Sequence, residues 1–169
     1  MDIVQKLKQD AIAKGLCDKW KRKFKENMDI PELVKMYIKG IDFCISNDYP
    51  TLEYLRSEIK GKCETYGVFI DDIVQSSNIE DIVLNGNCKA ELDYFGYSVC
   101  RIYARHNSEV NIKASENAYL TIDAFDNTIL NIEASEKCKV FITQYGKAKV
   151  NINSGIENVS LKKINKETY

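Results

Sequence analysis

Hydrophobic and polar positions follow two different rhythms along this chain. In the first part, Ile3, Leu7, Ile12, Leu16, Trp20 and Phe24 recur at three- to five-residue spacing, which predicts one or two amphipathic helices between Asp2 and about Asn27, with a break at Gly15. A second helix is expected from Ile30-Pro31, capped by Asp29 and carrying Leu33, Val34, Tyr37, Ile38, Ile41 and Ile45 up to Asn47-Asp48-Tyr49-Pro50. Thr51 then caps a short third helix to about Ile59. Beyond it the period changes to two, first irregularly over 66–72 and 81–84, then with strict repetition.

Rows of ten residues starting at Asn85, Phe95, Arg105, Ser115, Phe125, Ser135 and Tyr145 place Leu92, Ile102, Ile112, Ile122, Ile132, Ile142 and Ile152 in one column. A second apolar column holds Ala90, Cys100, Val110, Leu120, Leu130, Val140 and Val150. A small column (Cys88, Ser98, Ser108, Ala118, Thr128, Cys138, Ala148) precedes them, and Ala104, Ala114, Ala124 and Ala134 follow. Gly86-Asn87, Gly96, His106-Asn107, Glu116-Asn117, Asp126-Asn127 and Gly146 fall between strands, and Gly and Asn suit the positive φ of tight corners. Each row is therefore one strand and one corner.

Asn111-Ile112-Lys113-Ala114-Ser115-Glu116 returns as Asn131-Ile132-Glu133-Ala134-Ser135-Glu136, a second period of twenty. In a solenoid with two strands per coil, residues twenty apart stack at about 4.8 Å, so isoleucines and asparagines pair with their own kind. An antiparallel meander is the alternative, but it would put an intervening strand between them. The fold class expected is α+β: helical segment 1–62, linker and first solenoid cap 63–84, two-sided β-solenoid 85–154, and C-terminal cap and tail 155–169. A phase slip after Gly155, where Val159 and Leu161 alternate one residue out of step, marks that last cap.

The outward columns separate into two faces. Lys89, Glu91, Asp93, Glu109, Asn111, Lys113, Asn131, Glu133, Lys149 and Asn151 form a solvated one. Val99, Arg101, Tyr103, Tyr119, Thr121, Asp123, Phe141 and Thr143 form the other, with enough apolar and aromatic area to require cover, from the helical segment or from a partner.

Composition narrows the function classes. The 169 residues are 44% hydrophobic with a formal net charge of -1, so nothing draws the chain electrostatically to nucleic acid or an anionic membrane. The six cysteines lack C-x-x-C spacing, three of them occupy inward columns, and a reducing, cytoplasmic setting is expected. No window approaches the ~18 apolar residues of a membrane span, and the charged start of the chain lacks a secretion signal.

The runs Trp20-Lys21-Arg22-Lys23-Phe24, Tyr37-Ile38-Lys39-Gly40-Ile41-Asp42-Phe43-Cys44, Asn47-Asp48-Tyr49-Pro50 and Leu84-Asn85-Gly86-Asn87-Cys88 resemble small proteins of gut Bacteroidales and their mobile elements, a group with no activity attached. The resemblance covers nearly the whole chain. It implies a helical-plus-repeat layout and a bacterial or phage setting, and it transfers no catalytic residue.

Candidate chemistry is thin. His106 could meet Asp126 one coil away, but a lone His defines neither a base with its partner nor a metal site. Asp71, Asp72 and Asp81 could pair as carboxylates, although strand ends use Asp for turns and caps. Lys19, Lys21, Arg22, Lys23 and Lys25, interleaved with Trp20 and Phe24, form a weak basic patch whose Leu16-Trp20-Phe24 side faces the core.

The expectation is a non-enzymatic protein-interaction or scaffold module, with no catalytic residue, metal or cofactor, whose partner is an unidentified protein or a second copy of the chain. Two alternatives stand beside it. One is a carbohydrate-binding or carbohydrate-cleaving protein using the aromatic face, and the other is nucleic-acid or defence-related interference through the basic helix.

Overall fold

The computed structural model describes residues 2–169. It divides into a helical unit reaching Tyr66 and a β unit over Gly67–Thr168.

In the helical unit, α1 (Ile3–Ala13) ends before Gly15, whose φ of +87° favours glycine, and α2 (Asp18–Lys21) follows. α3 (Ile30–Lys39) opens with a full capping box: Glu32 N–H donates to Asp29 Oδ1 at 2.9 Å, and Asp29 N–H donates to Glu32 Oε2 at 3.2 Å. The second helix expected from the apolar spacing is interrupted at Gly40, and α4 (Ile41–Ser46) continues beyond it. A β-carbon at Gly40 would lie 3.3 Å from the Trp20 ring, so the close approach of Trp20 selects glycine there. Thr51 caps α5 (Leu52–Tyr54), its Oγ1 accepting from Tyr54 N–H at 3.3 Å, and a π-helical turn runs on over Leu55–Ile59. The buried Tyr49 hydroxyl donates to Leu7 O at 2.7 Å, tying α1 to the loop after α4.

The β unit is a two-sheet solenoid in which every strand pair is parallel, so the meander is excluded. One sheet stacks β1 (Val68–Ile70), β3 (Asp81–Asn85), β5 (Val99–Ala104), β7 (Tyr119–Ala124), β9 (Lys139–Tyr145) and β11 (Val159–Ile164). The other stacks β2 (Ile73–Ser77), β4 (Lys89–Tyr94), β6 (Glu109–Ala114), β8 (Ile129–Ala134) and β10 (Lys149–Ser154). Partners are twenty residues apart through the middle, as in Ile102↔Ile122↔Ile142 and Leu92↔Ile112↔Ile132↔Ile152. The apolar columns become one core: Ile102, Leu120, Leu130, Ile132 and Val140 are all 0% exposed. Burying one such side chain contributes about 1.5–3 kcal/mol.

The sheets extend beyond 85–154 in both directions. Residues 63–84, expected as linker and cap, contribute β1, β2 and most of β3, with a first coil of irregular register in which Val68 pairs with Val83 and Ile73 with Lys89. At the other end the phase slip appears as a register shift between Ile152 and Ser154, after which Val159 pairs with Val140. Gly155 turns that corner at φ +69°, and a β-carbon there would collide with the Ala134 carbonyl.

The corners explain several polar residues. His106, Glu116, Asp126 and Glu136 all sit at positive φ, and the side chains of the first three each accept a backbone N–H from the coil before. Glu116 Oε2 takes Gly96 N–H at 3.0 Å and Asp126 Oδ2 takes His106 N–H at 2.8 Å. Asparagines form two ladders: Asn127 to Asn107 to Asn87 at 3.1 and 3.2 Å, and Asn151 to Asn131 to Asn111 at 2.9 and 2.8 Å, ending on Glu91 Oε1 at 2.6 Å. A further corner column is buried, where Phe125 and Tyr145 stack with centroids 4.6 Å apart and planes inclined by 14°, with Arg105 one coil earlier only 4% exposed.

Candidate functional site

The aromatic face is the outer side of β5, β7 and β9. Alternation along each strand turns one residue in two outward, and parallel register sets those residues in rows across the sheet. Val99 pairs with Tyr119 and Lys139, Arg101 with Thr121 and Phe141, and Tyr103 with Asp123 and Thr143. All eight expected residues thus lie on one surface. Tyr119 and Phe141 touch diagonally, with ring centroids 5.2 Å apart and planes inclined by 39°.

This surface is open. Val99 is 64% exposed, Tyr119 41% and Phe141 39%, while Arg101 and Thr121 are also exposed and Tyr103, Asp123 and Thr143 are half-buried. Arg101 does not stand alone: its Nε and Nη2 donate to the two carboxylate oxygens of Asp81 at 2.6 and 2.9 Å across the β3–β5 pair. That bidentate geometry holds the guanidinium flat beside the apolar row.

The column reading missed Tyr97, which is 86% exposed in the corner leading into Val99, beside Phe95 at 45%. A signal was present, since the same column holds Asn87, Asn107, Asn117, Asn127, Lys137 and Lys147 in every other row. Treating the corners only as turns hid it.

The other candidates are placed differently. His106 Nδ1 accepts from Gly86 N–H at 3.0 Å, so the imidazole continues the corner ladder, and the Asp126 carboxylate oxygen Oδ2 is engaged by the His106 backbone. Asp71 Oδ1 accepts from Asn87 N–H and Asp72 Oδ2 from Ile70 N–H, both at 2.8 Å, and Asp81 is committed to Arg101. These carboxylates serve turns and pairing rather than converging on a common point. Among the described residues no three His, Cys, Asp or Glu side chains cluster as metal ligands.

In the basic patch, Lys21 pairs with Asp18 at 2.9 Å and Lys23 lies 3.7 Å from the Trp20 ring centroid, leaving Lys19, Arg22 and Lys25 exposed. Trp20 and Phe24 turn inward to an apolar cavity of about 50 Å³, which is far below the ~300–1,000 Å³ of ligand pockets. A shallow trough of about 370 Å³ lies at the ends of β4, β6 and β8, where Asp93, Lys113 and Glu133 alternate in sign along the register. Its three charges sum to a single negative one.

The three cysteines inside the solenoid are not poised for chemistry. Burial pushes the Cys100 thiol up to about 11 and raises those of Cys88 and Cys138, so thiolate nucleophiles are disfavoured there. All six remain thiols, with Cys17 exposed. Among the described residues no helix is long and apolar enough to cross a membrane.

No known family model, curated protein or solved structure matches the chain.

Proposed function

We propose that the protein is a non-enzymatic interaction module that offers the outer face of β5, β7 and β9 to a protein partner. The observation that carries this reading is the exposed, contiguous patch in which Val99 neighbours Tyr119 and Tyr119 touches Phe141 diagonally, on a sheet whose backbone is locked in parallel register. A rigid aromatic and aliphatic surface loses little conformational entropy on binding, and Tyr supplies much of the energy at protein interfaces. The Arg101–Asp81 pair beside it gives a polar rim with fixed direction.

Carbohydrate recognition is the weaker reading. Sugar faces stack on flat ring surfaces, whereas Tyr119 and Phe141 are inclined by 39° and spend ring area on each other. Interference through the basic helix is weaker still, because Lys21 and Lys23 are engaged locally. The reading assigns the protein to a reducing, cytoplasmic compartment of a bacterial or phage-bearing cell, in keeping with its thiols and with the likeness of its sequence runs to small Bacteroidales proteins.

The test uses immobilised wild type and a Tyr119→Thr/Phe141→Thr variant in source-cell lysate. Thr suits an exposed strand position and already occupies the next outward position on each of the two strands, at Thr121 and Thr143. A protein retained by wild type and lost by the variant, with unchanged circular dichroism, is expected. Equal retention by both proteins refutes the assignment of this face.

A further inference from the structure

Interior coils of the β-solenoid are sealed by a coil on each side, and their inward side chains show it: Ile112 and Ile122 are 1% exposed, Ile132 and Val140 0%. The last coil differs. Val150 and Ile152 of β10 and Val159 and Leu161 of β11 continue the same apolar columns, yet all four are only half-buried, and Ile156 in the corner between them is 70% exposed. β10 and β11 are also the terminal strands of their sheets, so one backbone edge of each faces away from the stack. The opposite end is not equivalent, for β1 is only three residues long and the inward Val74 of β2 is 4% exposed.

The outer asparagine ladder has a direction. Every amide donates toward the first coil, and the run stops on Glu91, a carboxylate that can only accept. At the other terminus Asn151 directs one N–H to Asn131 Oδ1, and the rest of its amide, an acceptor and a second donor, belongs to the open edge. A primary amide is complementary to another primary amide, so the chemistry that extends this ladder is the ladder itself.

We propose that the C-terminal end of the solenoid is a self-association surface, on which two copies of this chain meet about a twofold axis with β10 antiparallel to its copy. Centring that pair on Asn151 brings the two Asn151 amides together. It also places Val150 opposite the partner's Ile152 and Lys149 opposite the partner's Asn153, so along β10 the apolar columns continue and no like charges face each other. The geometry closes at two copies. Head-to-tail growth would need the other end, where the short β1 offers little edge.

The contact is small. Six-residue strands span about 20 Å and the paired sheets about 10 Å, so with outward side chains roughly 800 Å² is buried in total, less than the ~1,200–2,000 Å² of stable complexes. The register shift in β10 and Lys163 in an inward column of β11 trim it further. The dimer is therefore reversible and concentration-dependent.

Sedimentation of the full chain from about 10 μM to about 1 mM should show the mass rising from 19.4 kDa toward twice that value, a range set by micromolar-to-millimolar affinity. Asn151→Lys, which brings two cations to the axis, should abolish the rise. In a Cys17→Ser background, Asn151→Cys sets the two thiols across an antiparallel pair whose Cα atoms are ~4.5–5.5 Å apart, within disulfide reach. Mild oxidation should then give a covalent dimer at least about tenfold faster than it does for Glu109→Cys, an exposed position on β6 in the middle of its sheet. A wild type that stays monomeric throughout, or cross-linking no faster than the control, overturns the proposal.

Discussion

Ile122 and Ile152 occupy the same column of the repeat, and truncating each to Ala measures how far the core of the solenoid extends. Ile122 is 1% exposed, paired with Ile102 on one side and Ile142 on the other, and the coils above and below cannot collapse into a gap without breaking register. Ile122→Ala should cost about 2–5 kcal/mol, the range for deleting a buried aliphatic side chain. Ile152 pairs with Ile132 alone and is half-buried, so its methyl groups have packing partners on one side only. Ile152→Ala should cost roughly half as much, about 1–2 kcal/mol.

Urea denaturation followed by circular dichroism at the β-sheet band separates the two effects. With a slope of about 2 kcal/mol/M, the midpoint falls by roughly 1–2.5 M for Ile122→Ala and by roughly 0.5–1 M for Ile152→Ala. The measurement belongs at about 2 μM protein, where a reversible end-to-end dimer with a dissociation constant of about 10 μM or weaker is largely dissociated. Fluorescence of Trp20, the single tryptophan, follows the helical unit in the same samples. Equal costs for the two variants would refute the reasoning, because they would mean that the last coil is packed as tightly as the middle ones.

Two further outcomes are expected. A thiol reagent should modify Cys17 at once in native protein and reach Cys44, Cys63, Cys88, Cys100 and Cys138 only after denaturation; immediate reaction of Cys100, whose thiol burial holds near 11, would contradict the packing. Burial works to raise the Glu64 carboxyl, but N–H bonds from the backbone of Gly61, Glu64 and Cys63 outweigh it and hold the group below its ordinary value. A depressed carboxylate stabilises the fold above its unfolded pKa, and that contribution disappears as pH falls through the folded value. Glu64→Gln should therefore weaken the helical unit at neutral pH and flatten its acid limb, read from Trp20 fluorescence against pH.

Much of the architecture was legible because its physics is local and periodic. Ten-residue rows with a twenty-residue identity make sense only when like residues stack on like, and the parallel register places Asn111, Asn131 and Asn151 on one another accordingly. The cap of α3 was readable from Asp29 and Pro31 for the same reason, since capping needs only residues within one turn. The break at Gly40 was not readable, because it depends on Trp20 arriving from another helix. His106 illustrates the limit for chemistry: a histidine at positive φ whose Nδ1 accepts a backbone N–H is a corner residue, and only the coil beside it reveals that.

Alternation along the strands determined which side chains of the repeat point inward, and the doubled period determined which of them touch. It could not determine what covers the outward ones. Val83 lies in register with the outward Tyr103 and is 0% exposed, Arg105 and Phe125 are buried at corners, and Tyr119 and Phe141 remain open in the same sheet. Nor could columns of similar apolar residues tell that the last coil, with Val150 and Ile152, would be half-bare. A strand's own sequence encodes its two faces through the geometry of successive Cα–Cβ bonds, whereas cover comes from segments distant in the chain, and only their folding together decides it.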